Sequence, residues 1–224
     1  LVGDYGGGAL YLAFGVACAL LHAWRTGQGQ VVDAAMCDGA ASMMTLFYGM
    51  LGAGRWQDRP GSNALDGGAP WYDSYETADG RYVAIGAIEP KFFNELLTRL
   101  GLDPERWPAP QDRSCWDDLR TEFVRIFRTR TRDEWCASLE GSDACFAPVL
   151  SLAEAPHHPH NVARGTFVEI DGVVQPGPAP RFSATPGRAG AGAPCVGQGG
   201  RQALADWGFT ADQVEKMSGV LWAN

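Results

Sequence analysis

Leu1-Val2-Gly3-Asp4-Tyr5-Gly6-Gly7-Gly8 places one carboxylate among four glycines, directly before the apolar run 9–21. Glycine lets a backbone approach a ligand closely and take up conformations that other residues avoid. A helix beginning behind such a loop offers unpaired N–H groups and a partial positive charge to an anion. The stretch therefore reads as a positioned carboxylate beside an oxyanion-binding backbone. Asp is also a good helix cap, and from these eight residues alone the two readings stand level. The spacing does not fit G-x-G-x-x-G, and no Walker lysine follows, so neither nucleotide-binding motif applies.

The rest of the composition narrows the class. A chain of 224 residues holds one large domain or two small ones. With 18 basic and 26 acidic side chains the formal charge is −8, which argues against a nucleic-acid partner. The six cysteines lie far apart without a C-x-x-C pair, so no zinc ribbon, redox motif or disulfide scaffold is expected. Free, mostly buried thiols in a reducing cytoplasm are the simplest reading. No signal peptide is recognisable. The apolar runs 9–21 and 40–53 fall short of the roughly 18 residues a membrane span needs, and both read as buried helices. His157, His158 and His160 are interrupted by a proline with no cysteine nearby, which suits loop residues better than a metal site. His22, on an apolar helix, reads as a satisfied core or end-of-helix residue. Because Leu1 falls inside a functional-looking loop, the chain is expected to lack an N-terminal part.

Working outward from the glycines, 30–36 reads as a strand buried on both faces, with only Asp33 polar after Gln30. A second apolar helix is expected over 39–51, which suits part of an α/β layer. The segment 54–70 is rich in Gly with Pro, Arg and Asp, and reads as a linker or binding loop. Then 72–77 and 81–88 flank Ala78-Asp79-Gly80 as a hairpin. Glu89-Pro90 ends that strand and opens a helix carrying Phe92, Phe93, Leu96, Leu97 and Leu100. Further helices are expected over 116–128 and after the capping box beginning at Thr131, with a strand near 146–150. A second hairpin is expected around Asp171-Gly172. An extended Pro/Gly/Ala-rich passage over 176–200 and two short helices complete the chain.

Several of these stretches resemble the class III (CaiB/BaiF-type) CoA-transferase superfamily, and within it the α-methylacyl-CoA racemase branch. The matching pieces are 3–8, Gly27-Gln28-Gly29-Gln30-Val31-Val32-Asp33-Ala34-Ala35-Met36, 75–80, Gly86-Ala87-Ile88-Glu89-Pro90-Lys91-Phe92-Phe93, His158-Pro159-His160-Asn161-Val162-Ala163-Arg164-Gly165 and Ala179-Pro180-Arg181-Phe182. Each is weak alone, but six in the family's order make a specific match, and they resemble its C-terminal two-thirds. The resemblance implies an α/β fold: a Rossmann-like large domain, incomplete here, with an inserted smaller α/β domain in an interlocked homodimer. Residues 1–53 and 161–224 would belong to the large domain, 54–70 to a linker and 71–160 to the small domain.

The resemblance also implies chemistry. The carboxylate of the glycine-rich stretch, Asp4, is the catalytic group of the superfamily. Racemases pair it with a His held by a Glu, which maps onto Glu89, while the His would lie upstream of Leu1. Inverting the carbon next to a thioester needs proton removal on one face and return on the other, hence two acid–base groups. A His has its pKa near working pH, and the N–H groups of Gly6, Gly7 and Gly8 would stabilise an enolate oxygen. Tyr72, Ile88 and Met36 would line the acyl site. The expected activity is racemisation of 2-methylacyl-CoA in fatty acid metabolism, with coenzyme A part of the substrate and no other cofactor, metal or membrane. The alternatives are a class III CoA transferase with Asp4 as nucleophile, or a non-catalytic remnant.

Overall fold

The glycine-rich opening, expected as a loop, is helical. In the computed structural model, which describes residues 1–107 and 109–221, Val2–Ala9 form a π-type turn running without a break into α1 (Leu10–Thr26). The Tyr5 and Gly6 N–H groups both reach the Leu1 carbonyl, at 3.0 and 3.2 Å. The glycines answer to packing. Helix α2 (Met36–Met43) crosses the turn so closely that a Cβ on Gly39 would fall inside the Gly7 carbonyl. A Cβ on Gly7 would stand 2.8 Å from the Ala40 nitrogen, so only residues without a side chain permit this crossing.

Several expectations for this region are corrected. Residues 28–35 form no strand, and Val31 is 94% exposed while Val32 packs where a Gly15 side chain would be. Apolar content alone does not make a strand: its backbone groups need a ladder partner, and none runs beside it among the described residues. The helix expected over 39–51 begins at Met36 and breaks at Met44 into α2 and α3 (Thr45–Gly52). There the Thr45 hydroxyl donates back to the Ser42 carbonyl at 2.6 Å, a local bond that competes with the helix ladder. Helix α1 exposes Leu10, Phe14, Leu20 and Trp24 rather than burying them. With the glycines helical, Val2–Thr26 is long and apolar enough to cross a membrane by length and composition. None of the six cysteines is fully buried; four are exposed, because they lie outside the packed core.

The segment 54–70 is an ordered loop folded around Asn63, whose side chain is 1% exposed. The Asn63 Oδ1 accepts the Gln57 N–H (2.8 Å), and Nδ2 donates to the Gln57 carbonyl (2.9 Å) and to Asp66 (2.7 Å). The other Asp66 oxygen accepts the N–H groups of Asn63 and Gly68. Desolvation pushes the Asp66 carboxyl up, and these bonds outweigh it, leaving it below the ordinary carboxylate range. A carboxyl depressed in the folded state adds stability above its unfolded pKa and loses it as pH falls through the folded one. Amide protection at Asn63 and Gly68 should therefore drop on acidification below about pH 4. Asp66→Asn should show weaker protection at neutral pH with the acid dependence gone. Protection in the variant that still falls with acid would place the titration elsewhere.

Downstream, local signals produce what they predict. Strands β1 (Tyr72–Glu76) and β2 (Tyr82–Gly86) pair antiparallel, with Tyr72 opposite Gly86 and Glu76 opposite Tyr82. Strand β3 (Phe146–Val149) pairs antiparallel on the far side of β2. Tyr75, Val83 and Ile85 point inward at the two-residue period of a strand. They meet α4 (Pro90–Arg99), α5 (Trp116–Phe127) and α6 (Arg132–Leu139), which bring Phe93, Leu96, Leu119, Phe123, Phe127 and Trp135 into one core. Tyr75 stacks on Phe127 at 5.2 Å between ring centroids and meets the Phe123 edge at 5.7 Å. The capping box at Thr131 and Glu134 forms in full. Arg120 pairs with Asp73 and donates to the Gly67 and Gly68 carbonyls, fastening the Asn63 loop to β1.

These elements, from Leu1 to Val149, make up one compact unit, and a second runs from Leu150 onward. In the second, of the histidines expected in a loop, His157 ends a 3-10 turn while His158 caps and His160 enters α7 (Pro159–Arg164), with Pro at the first turn and Gly165 at φ 56° as its left-handed cap. Strands β4 (Phe167–Ile170) and β5 (Val173–Pro176) pair antiparallel around Asp171-Gly172. Arg181 donates to the Arg164 and Gly165 carbonyls. The passage 177–199 carries no helix or strand, and α8 (Gly200–Asp206) and α9 (Ala211–Leu221) follow. The protein is of the α/β class, and both sheets among the described residues are antiparallel.

Candidate active site

Asp4 sits in the first turn of the π-helical opening, exposed, while the N-cap position belongs to Leu1. The helix-capping role is thus not taken up, and the carboxylate stands at a positive helix end with its oxygens free for other work. π-turns widen a helix locally and recur at functional sites. Around it, Met43 lies 3.5 Å from where a Gly6 side chain would begin, and the Met36 side chain covers Gly8. Gly7 and Gly8 are buried against α2, while Gly6 is partly exposed. Asp4, the three glycines and Met36 are thus one local group, held by the helix crossing. The N–H of Gly6 is already engaged with Leu1, so donors for an anion would come from the residues before Tyr5.

The second group lies at one end of the three-stranded sheet. The Ala87 N–H bonds to the Trp71 carbonyl (3.1 Å) and that of Ile88 to Gly86 (2.9 Å), which carries the chain directly into α4. Glu89 is the N-cap residue of α4, yet its side chain makes no capping bond. Its backbone carbonyl takes the first helical bonds, from Phe92 and Phe93, and its carboxylate is exposed. The Tyr72 ring lies 3.5 Å from where a Gly86 side chain would begin, and Ile88, two residues further on, is exposed. Tyr72 thus lies opposite Gly86, and Ile88 and Glu89 follow Gly86 along the chain. One member was not foreseen: Cys145, at φ 51°, whose carbonyl accepts the Gly86 N–H. Burial pushes its thiol up, with Glu89 and Asp143 adding to the effect. Nothing in its spacing could have signalled this.

No hydrogen bond or ion pair joins the Asp4 group to the Glu89 group among the described residues. His22 is exposed on α1, not in a core, and His157, His158 and His160 belong to the second unit. Among the described residues no group of three or more His, Cys, Asp or Glu could hold a metal.

The site residues are thus an aspartate on a glycine-packed helical turn and a glutamate at a strand-to-helix junction, on an α/β frame. The chain belongs to CoA-transferase family III, which it matches over residues 1–199. Within that class it is 40% identical over 217 residues to alpha-methylacyl-CoA racemase of Mus musculus, covering 96% of this chain and 57% of that protein. The Homo sapiens protein of the same name is 37% identical over 220 residues, covering 97% and 58%. The chain thus spans somewhat over half the length of these relatives. The crystal structure of a CAIB/BAIF family protein from Brucella suis superposes with a TM-score of 0.69 over 89% of this chain and 54% of that one, at 22% identity. That likeness shows the fold.

Proposed function

We propose that this chain is part of a CoA-thioester racemase that inverts C2 of a 2-methylacyl-CoA. The observation carrying the reading is the 40% and 37% identity, along almost the whole chain, to proteins named for that activity. Asp4 removes the proton next to the thioester carbonyl, leaving an enolate. A proton then returns to the opposite face from a histidine contributed by sequence outside these residues. Glu89, whose carboxylate makes no cap on its own helix, orients that histidine. Tyr72 and Ile88 on one side, and Met36 on the other, contact the acyl chain, where the pliable thioether of methionine suits varied shapes. Coenzyme A is part of the substrate and no further cofactor is needed. The enzyme works as a cytoplasmic homodimer, and residues 1–224 alone are inactive because one of the two acid–base groups is elsewhere.

The competing reaction starts from the same carboxylate. In a CoA transferase Asp4 attacks the thioester carbonyl, forms an acyl–aspartyl anhydride and releases the CoA thiolate. The two part in heavy water. The racemase should carry deuterium into C2 of a 2-methylacyl-CoA with no acyl acceptor present. Hydroxylamine capture of an acyl group at Asp4, without exchange at C2, would assign the transferase reaction instead.

A further inference from the structure

A cleft of about 690 Å³, within the usual range for small-molecule sites, opens beside Ile88, the residue preceding Glu89. Its apolar wall is made by Trp71, Trp116, Met50 and Ile88. The two indoles meet edge to face at 6.2 Å, and both N–H groups donate to the same carbonyl, that of Pro110, at 2.7 and 2.9 Å. With those donors engaged, the rings give the cleft only hydrocarbon surface. Polar recognition falls to Arg55, Arg113, Gln57 and Gln111. Neither arginine is in an ion pair among the described residues, although the chain carries eight more acidic than basic groups overall. Half of the chain's other fourteen arginines meet a carboxylate among the described residues, as Arg99, Arg120, Arg125 and Arg128 do. Arg113 lies over the Trp116 ring at 5.2 Å, which holds the guanidinium without neutralising it and leaves its N–H edge for a planar anion.

We infer that this cleft takes the distal part of an acyl chain ending in a carboxylate, with Arg55 and Arg113 reading that end. The inference rests on the racemase reading, which places the reacting carbon beside Glu89. A chain leaving that carbon would pass Ile88, cross the edges that the two largely buried indoles show to the cleft, and arrive at the guanidinium groups. Their fork geometry suits a carboxylate, and charged hydrogen bonds of this kind are the stronger ones.

The test compares 2-methyldodecanoyl-CoA with the same thioester carrying a carboxylate at its far end, reading deuterium entry at C2 in the complete enzyme. The carboxylated substrate should have the higher kcat/KM, by about tenfold or more. In the double variant Arg55→Met, Arg113→Met, the ratio should fall toward one. Both arginines are exposed, so the core is untouched. A parallel titration follows tryptophan fluorescence with free dodecanedioate on the same proteins. Equal kcat/KM for the two thioesters, or a preference that survives in the double variant, overturns the assignment while leaving racemisation standing. Arginine-dependent binding of the free diacid with no thioester preference also overturns it, since the cleft would then serve a separate carboxylate ligand. If neither thioester exchanges, the racemase reading itself falls, and this substrate assignment with it.

Discussion

Asp4→Asn should slow deuterium exchange at C2 of a 2-methylacyl-CoA by roughly a hundred- to ten-thousandfold, the usual contribution of one acid–base group. Asparagine keeps the size and much of the hydrogen bonding of aspartate but cannot accept the proton. Asp4 is exposed and caps nothing, so the variant should fold normally, and thermal unfolding should confirm it. Glu89→Gln makes the informative partner. Because Glu89 is proposed to hold a histidine and not the substrate, the Gln variant should lose turnover with little change in KM, and inversion should suffer more than exchange. Turnover unchanged in Glu89→Gln would return that residue to an ordinary helix start. Exchange unchanged in Asp4→Asn would remove the carboxylate from the reaction altogether.

Gly39→Ala should be the most damaging single-methyl change in the first unit. The added carbon would land inside the Gly7 carbonyl, a backbone atom that cannot rotate away. Overpacking of this kind costs about 1–3 kcal/mol and sometimes more, and here it must push α2 off the turn that carries Asp4. Gly49→Ala is the control. It lies within α3 with open space around it, where the same methyl should stabilise by about 0.5–1 kcal/mol. Urea unfolding of both variants would measure the difference, and a neutral Gly39→Ala would show that α2 and the turn do not need their close approach.

The parts of the fold legible in the sequence are those with local causes. The first hairpin carries its own turn at Ala78-Asp79-Gly80, α4 has its Pro90 start, and α6 has the Thr131 box. All three form where the residues place them. Helix α7 carries the same kind of local signals, Pro159 at its start and Gly165 at its end, although its histidines read as loop residues. What could not be read depends on distant neighbours. An apolar run such as 30–36 reads alike whether or not a strand lies alongside to bond with it. The glycines of 3–8 read as a loop because their helical state rests on α2 pressing against them, which no spacing rule encodes. The Asn63 loop looks like a linker until its side chain is seen closing six residues. As for the site, Asp4 and Glu89 were found by resemblance. Cys145, brought beside Glu89 by β3, left no local signal.

The junction at Glu89-Pro90 has one more consequence. Ala87 before it and Phe93 after it are fully sunk in the core, while of the five positions between, 88–91 are exposed and Phe92 is partly buried. The exposed stretch is therefore suspended between two anchors held in the core. Over evolutionary time such a segment can drift freely: positions 88–91 can be rewritten without a compensating change in the aromatic interior. The same scaffold can thus diverge in chemistry while its folding stays where it was.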